Sequence, residues 1–93
     1  MDKVEARQVL AGKIAELRRW SYTDLLRFFM EPEGLEVIGP SGTIYQLEIQ
    51  ALWDDKRSRH LRVLASTDDG GWRAFAPLCD DVIIAPDGSF IGK

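Results

Sequence analysis

The sequence contains few of the residues that build most catalytic and metal sites. Among its 93 residues there is one cysteine, Cys79, and one histidine, His60. An internal disulfide is therefore excluded, and a tetrahedral zinc site would also need carboxylate ligands. A cysteine–histidine catalytic pair would have to bring these two residues within hydrogen-bond reach. The predicted strands do not constrain them to meet, so a packed thiol and a loop histidine are the favoured interpretation.

Long apolar runs are also lacking. No stretch approaches the roughly 20 apolar residues that a membrane-spanning helix needs. The first residues do not show the charged-then-apolar layout of a secretory signal. A single cysteine suits a reducing compartment. These features predict a cytoplasmic protein that does not bind membranes.

A dominant basic surface is missing too. The chain has 12 Lys and Arg against 15 Asp and Glu, a net charge of −3. Small basic clusters at residues 18–19 and 56–62 are favoured as solvated loop and helix surface rather than as a binding groove. Because affinity for nucleic acid depends on neutralising phosphates, the sequence predicts no nucleic-acid partner.

Helical periodicity is the first positive signal. Apolar residues recur at spacings of four, four and three over residues 2–19, which is typical of a helix packed on one side. They are Ala6, Leu10, Ile14 and Leu17. Glu5 and Glu16 fall on the opposite side, which is predicted to face solvent. Ser21 begins a capping pattern, so a break and a second short helix are expected, ending near Pro32 and Gly34. One uninterrupted helix over residues 2–30 is the alternative.

After Gly34 the apolar period becomes two, which is typical of half-buried strands. Residues 40–42 suit a three-residue turn with Gly42 in the left-handed conformation. This turn places Val37 opposite Tyr45 and Leu35 opposite Leu47. A polar loop at residues 54–59 then sets three more pairs, which are Trp53–Leu61, Ala51–Val63 and Ile49–Ala65.

The pair Asp69-Gly70 predicts a further tight hairpin, because these residues readily adopt two consecutive positive φ angles. Its register gives the pairs Thr67–Trp72, Ala65–Ala74, Val63–Ala76, Leu64–Phe75 and Ser66–Arg73. A short apolar strand over residues 82–85 and a turn at residues 86–88 follow. The sequence thus predicts one α+β domain over residues 1–93: an N-terminal helical segment (1–31), split near residues 20–23, packed on an antiparallel meander (34–92) of about four to six strands.

The face of the sheet turned away from the helices, here called the outer face, is the leading candidate for an interaction surface. Apolar residues there are surrounded by polar and charged ones, a pattern typical of protein-binding or self-association surfaces. The predicted patch comprises Leu52, Arg62, Leu64, Arg73 and Phe75. The alternative is that residues 82–91, or part of the helical region, fold back and cover it.

Acidic pairs at predicted turns are the weaker candidates. Asp68, Asp69, Asp80 and Asp81 have the oxygen ligands that hard cations bind, but no spacing of a recognised calcium loop is present. Turn aspartates already have a structural role, because they bond to local backbone groups. We therefore predict no metal, no cofactor and no catalytic residue.

The leading functional hypothesis is a non-enzymatic protein–protein interaction module that binds another chain or a second copy of itself, through the outer face of the sheet or through an edge strand. A narrower version is an immunity- or antitoxin-like protein that uses its acidic loops to bind a basic toxin, with association speeded by charge. The alternative is a small enzyme or a ligand- or metal-binding domain that uses the turn carboxylates in a pocket between helix and sheet.

Overall fold

The helices and strands form two layers. The computed structural model describes residues 3–68 and 78–91, apart from the side chain of Asp68. Its elements are α1 (Lys3–Leu17), α2 (Tyr22–Met30), β1 (Glu33–Ile38), β2 (Ile44–Asp55), β3 (His60–Asp68), β4 (Leu78–Ile84) and β5 (Phe90–Ile91). The five strands form one antiparallel sheet in chain order. α1 packs over β3 and β4, and α2 packs over β2. The predicted α+β fold is confirmed.

The N-terminal helical segment is split, as the capping pattern predicts. α1 ends at Leu17, and the side chain of Ser21 accepts a hydrogen bond from the backbone N–H of Asp24 at 3.1 Å. This bond satisfies one of the N–H groups that the start of a helix leaves unpaired. The alternative of one helix over residues 2–30 is therefore wrong. The predicted apolar stripe of α1 is buried as expected.

Glu5 lies on α1 where the periodicity predicts a solvent-facing residue, and that prediction is wrong. Its side chain is buried, with the residue only 7% exposed. The carboxylate accepts hydrogen bonds from the hydroxyl of Tyr45 at 2.6 Å and from both the N–H and the hydroxyl of Ser41 at 2.7 Å. These donors come from the β1–β2 hairpin, so helical periodicity alone could not indicate them. The cluster fixes the start of α1 to that hairpin.

The β1–β2 hairpin has the predicted turn and register. The N–H of Gly39 donates to the carbonyl of Thr43 at 2.8 Å, and Gly42 has a φ of 88°. Val37 pairs with Tyr45 and Leu35 with Leu47, as predicted. β2 and β3 likewise pair as predicted, with Trp53 opposite Leu61 and Ala51 opposite Val63, and with a β-bulge between Trp53 and Asp55.

The partner of β3 on its second side differs from the prediction. β3 pairs with β4, so that Thr67 lies opposite Leu78, Ala65 opposite Asp80 and Val63 opposite Val82. The predicted pairing of β3 with residues 72–76 is therefore wrong. A two-residue turn was favoured by local chemistry, but alanines at positions 74 and 76 would bury much less apolar surface than the completely or almost completely buried Val82 and Ile84. The Asp69-Gly70 turn itself lies outside the described residues.

The chain ends its sheet with the small hairpin predicted after residue 85. The N–H of Ala85 donates to the carbonyl of Ser89 at 2.8 Å, and Gly88 has a φ of 91°. The carboxylate of Asp87 accepts hydrogen bonds from the N–H and the hydroxyl of Ser89, which lowers the pKa of Asp87. β5 then pairs with β4, so residues 82–91 extend the sheet sideways.

Candidate functional site

The predicted outer-face patch is present in part. Leu52, Arg62, Ile83 and Ile91 form one row across four strands of this face. Leu52 is exposed, whereas Arg62, Ile83 and Ile91 are half-buried. Because residues 82–91 belong to β4, β5 and their connecting turn, the alternative in which they fold back over the outer face is wrong. They contribute Ile83 and Ile91 to the row instead.

Arg62 occupies the centre of a charged group at this row. Its guanidinium forms ion pairs with Asp54 at 2.5 Å and with Asp81 on the neighbouring strand. The hydrogen bond that the guanidinium donates to Asp54, followed by the one it donates to Asp81, raises the pKa of Arg62. Both carboxylates thus form an ion pair with a cation of the same chain, so the charges of this group are balanced without a partner.

Leu64 does not face the residue predicted for it. It is half-buried, and its neighbours across the strands are Gln50 and Asp81. The predicted Leu64–Phe75 pair is therefore wrong as a register on β3. Arg73 and Phe75 themselves lie outside the described residues. A continuous apolar patch centred on Leu64 is not supported, because a carboxylate occupies the position beside it.

The two acidic candidates whose side chains are described, Asp80 and Asp81, lie on opposite faces of the sheet. Asp80 lies opposite Ala65 on the side of the sheet that faces α1, whereas Asp81 lies on the outer face beside Leu64. Asp80 lines a cavity of about 340 Å³ with Arg7 and Leu10 of α1. Asp69 and the side chain of Asp68 lie outside the described residues. Within the parts of the chain that are described, no group of three potential ligands is placed to hold a metal ion.

His60 and Cys79 lie far apart along the sheet. His60 begins β3, whereas Cys79 pairs with Ser66, six positions further along the same strand. At about 3.3 Å per residue, the two side chains start roughly 20 Å from each other. Cys79 is exposed. This geometry does not form a cysteine–histidine pair.

Among the described residues β1 has a free edge, and the sequence hypothesis of binding through an edge strand did not specify this strand. β1 is the first strand of the sheet, and no strand of the described residues pairs with its other side. Gly39 donates to Thr43, so the alternation of an antiparallel ladder turns the backbone groups of Val37, Leu35 and Glu33 toward β2. The N–H and C=O groups of Gly34, Glu36 and Ile38 consequently point away from the sheet. Ile38 is 71% exposed.

The surface beside this edge is acidic and hollow. A depression of about 530 Å³ is lined by Gly34, Glu36, Gln46, Glu48 and Ser66, together with Leu35, Leu47 and Thr67. No described residue of either helix lines it, which places it on the outer face. Glu48 lies directly across the ladder from Gly34. The amide of Gln46 donates to the carboxylate of Glu36 at 3.3 Å, and neither Glu36 nor Glu48 forms an ion pair within the described part of the chain.

Two sequence signals could have indicated this surface. Between Arg27 and Lys56 the chain has six acids and no Lys, Arg or His, so the β1–β2 hairpin contains no cation at all. Gly34 also stands inside a strand pattern, where glycine is disfavoured unless a bulge or a close approach needs it.

The comparisons with known proteins add no relative. No family model, no curated protein and no solved structure matches this chain. No helix among residues 3–68 and 78–91 is long and apolar enough to cross a membrane.

Proposed function

We propose that this chain is a non-enzymatic protein-binding module, active in the cytoplasm, that holds its partner at the free edge of β1. The observation that carries the proposal concerns three alternate residues of β1, Gly34, Glu36 and Ile38. Their backbone N–H and C=O groups point away from the sheet. An exposed strand edge of this kind is a template for an added strand, the arrangement known as β-augmentation.

The features that usually blunt an edge are weak here. Natural edge strands are protected by charged side chains, especially lysines, by prolines, by bulges or by a covering helix, and of these β1 has the charges of Glu33 and Glu36. The described β1 has no lysine, no proline and a continuous register with β2. α1 and α2 make their main contacts with β2, β3 and β4 instead of β1. Each backbone hydrogen bond gained by a partner contributes a net stabilisation of about 1 kcal/mol.

The test is capture of a partner from a lysate of the source organism with the full chain, compared between two variants. Ile38→Pro removes one N–H that points away from β2, so no hydrogen bond to β2 is lost. Proline is tolerated in an edge strand where the N–H faces solvent. Leu52→Asp changes the outer-face row at the far end of the sheet. We expect the wild-type chain and Leu52→Asp to retain the same partner and Ile38→Pro to lose it, with circular dichroism verifying the fold of each variant.

Two further results would decide the matter. Hydrogen exchange of the captured complex should slow at the amides of Gly34, Glu36 and Ile38. A partner that is lost with Leu52→Asp and retained with Ile38→Pro would place binding on the outer face and contradict the edge. If the partner is a basic toxin, the chain has the immunity-like role.

A further inference from the structure

We infer that the partner at this edge is an extended basic segment of another protein, which pairs antiparallel with β1 and lays one arginine or lysine side chain over Gly34. The inference rests on the proposed function, since it requires the edge of β1 to be the binding site. It goes further because it names the chemistry of the partner and the position of the side chain that is recognised.

The backbone fixes which partner residues matter. In an antiparallel pair, residues directly opposite each other share one face of the sheet. The partner residues opposite Gly34, Glu36 and Ile38 would each exchange two backbone hydrogen bonds with β1, and their side chains would lie on the outer face. Alternate residues of the partner therefore meet the acidic hollow, and the residues between them face the margin of the helix layer.

The side-chain geometry selects the position opposite Gly34. Neighbouring strands lie about 4.8 Å apart, so a partner residue there is about 10 Å from the backbone of Glu48. Gly34 places no side chain between them. A long cationic side chain can lie across the glycine and meet the carboxylate of Glu48 from one side and that of Glu36 from the other. The depression of about 530 Å³ provides the space.

Gly34 has no other explanation among the described contacts. Its φ is not in the left-handed region, and a Cβ built on it would meet only the carbonyl oxygen of Leu47 at 3.9 Å, an ordinary contact. The β1–β2 register shows no bulge at this residue. Glycine inside a strand commonly marks a place where another chain or a ligand approaches closely.

The charges favour a different, basic chain over a second copy. β1 contains Glu33 and Glu36 and no basic residue, so the β1 of a second copy brings no cation to the hollow in any register. Antiparallel self-pairing centred on Leu35 would instead place Glu36 of one copy over Gly34 of the other, next to Glu48. Like charges placed this close oppose each other.

The experiment uses the purified full chain and two labelled peptides, measured by fluorescence anisotropy at low and at physiological salt. The basic probe is Ile-Val-Lys-Val-Arg-Thr, which places its isoleucine opposite Ile38, its lysine opposite Glu36 and its arginine opposite Gly34. The neutral probe, Ile-Val-Gln-Val-Gln-Thr, keeps the strand pattern. We expect the basic probe to bind about tenfold more tightly at low salt, with the difference shrinking as salt screens the charges.

Three variants localise the contact. Gly34→Val fills the hollow and should weaken the basic probe by about tenfold, because the arginine can no longer cross the strand. Glu48→Gln should weaken it by about threefold, the effect of one exposed ion pair. The charge-matched control is Glu16→Gln on α1, on the opposite layer, which should leave binding unchanged. Hydrogen exchange with the basic probe should slow at Gly34, Glu36 and Ile38.

The outcomes separate this inference from the proposed function. Equal binding of both probes, with protection of the three outward amides, would overturn the basic partner while supporting the edge. Binding of the basic probe without protection of those amides, or no binding of either probe, would also overturn the inference. A dimer of the chain that dissociates in Ile38→Pro would assign the edge to a second copy and overturn it as well.

Discussion

Gly34, the second residue of β1, and Gly39, the residue after its end, stand in opposite surroundings. Gly39, at the turn end, is buried, and a Cβ built on it would lie 2.8 Å from the ring of Tyr45 and 2.9 Å from the carboxyl carbon of Glu5. Gly34, at the other end, is exposed, and a Cβ there would make one ordinary contact. Close packing thus explains why glycine occupies position 39, but it does not explain the glycine at position 34.

The acids beside these glycines differ in the same way. The carboxylate of Glu5 accepts three hydrogen bonds from the hairpin beside Gly39. The carboxylates of Glu36 and Glu48, beside Gly34, are exposed and have no ion pair within the described residues. A buried acid that is fully bonded stabilises the fold, whereas exposed acids around an empty position remain available to a partner. The end of β1 at Gly39 therefore stabilises the fold, whereas the end at Gly34 is the proposed binding end.

The largest expected effect is that of Gly39→Ala. The new methyl group would overlap the ring of Tyr45 and the carboxyl group of Glu5, both held by packing and hydrogen bonds, so neither can move aside freely. We expect the free energy of unfolding to fall by about 3 kcal/mol, in the range of overpacked cores. Urea denaturation followed by circular dichroism measures it. A loss below about 1 kcal/mol would show that this end of β1 is loosely packed and would remove the contrast with Gly34.

The acid dependence of stability should sharpen the contrast between the two sets of carboxylates. The hydroxyl of Tyr45, followed by that of Ser41 and its N–H, lowers the pKa of Glu5. The pKa of this group is thus lower in the folded chain than in the unfolded chain. The stabilisation it provides is fully present above the unfolded pKa, about 4.3, and is lost as the pH falls through the folded pKa.

The measurement compares urea midpoints of the wild-type chain and Glu5→Gln from neutral pH downward. The wild-type chain should be the more stable at neutral pH, and the difference should shrink as the pH falls below about 4.3, because protonated Glu5 resembles glutamine. Taking the difference removes the contributions of Asp55 and Asp87, whose pKa values are also lowered by local hydrogen bonds. Glu36→Gln is the control, and its urea midpoint should change with pH as that of the wild-type chain does, because the Glu5 cluster is intact. A difference that stays constant with pH would contradict the role given to Glu5.

The contrast also explains how much the sequence could predict. The helix break at Ser21 and the registers of β1 with β2 and of β2 with β3 follow from local signals, namely a cap, a turn and strict alternation. The partner of β3 differs from the prediction because the local turn signal at Asp69-Gly70 favours residues 72–76, whereas β4 has two aspartates followed by an apolar run and no clear alternation. The larger apolar volume of Val82 and Ile84 in the core favours β4, and that is a property of packing.

The candidate site was harder to predict, because its residues become neighbours only across strands. Glu36 and Glu48 are twelve positions apart in the sequence, and the sheet places them on either side of Gly34 on the outer face. Glu5 illustrates the converse, since a helix position predicted to be exposed is buried by a distant turn. Periodicity assigns a face to each residue, but it does not reveal what the remainder of the chain places over that face.

The smallest expected effect is that of Gly34→Ala on stability. Alanine adds one methyl group that makes one ordinary contact, with the carbonyl oxygen of Leu47, and restricts the unfolded chain, so the free energy of unfolding should stay unchanged or rise by about 0.5 kcal/mol. Urea denaturation of Gly34→Ala and Gly39→Ala, measured in parallel, compares the free energies of unfolding of the two variants. A loss greater than about 1 kcal/mol would mean that the fold itself requires glycine at this position. The hollow would then have a structural cause, and the argument for a cationic side chain over Gly34 would lose one of its two supports, leaving the charge pattern alone.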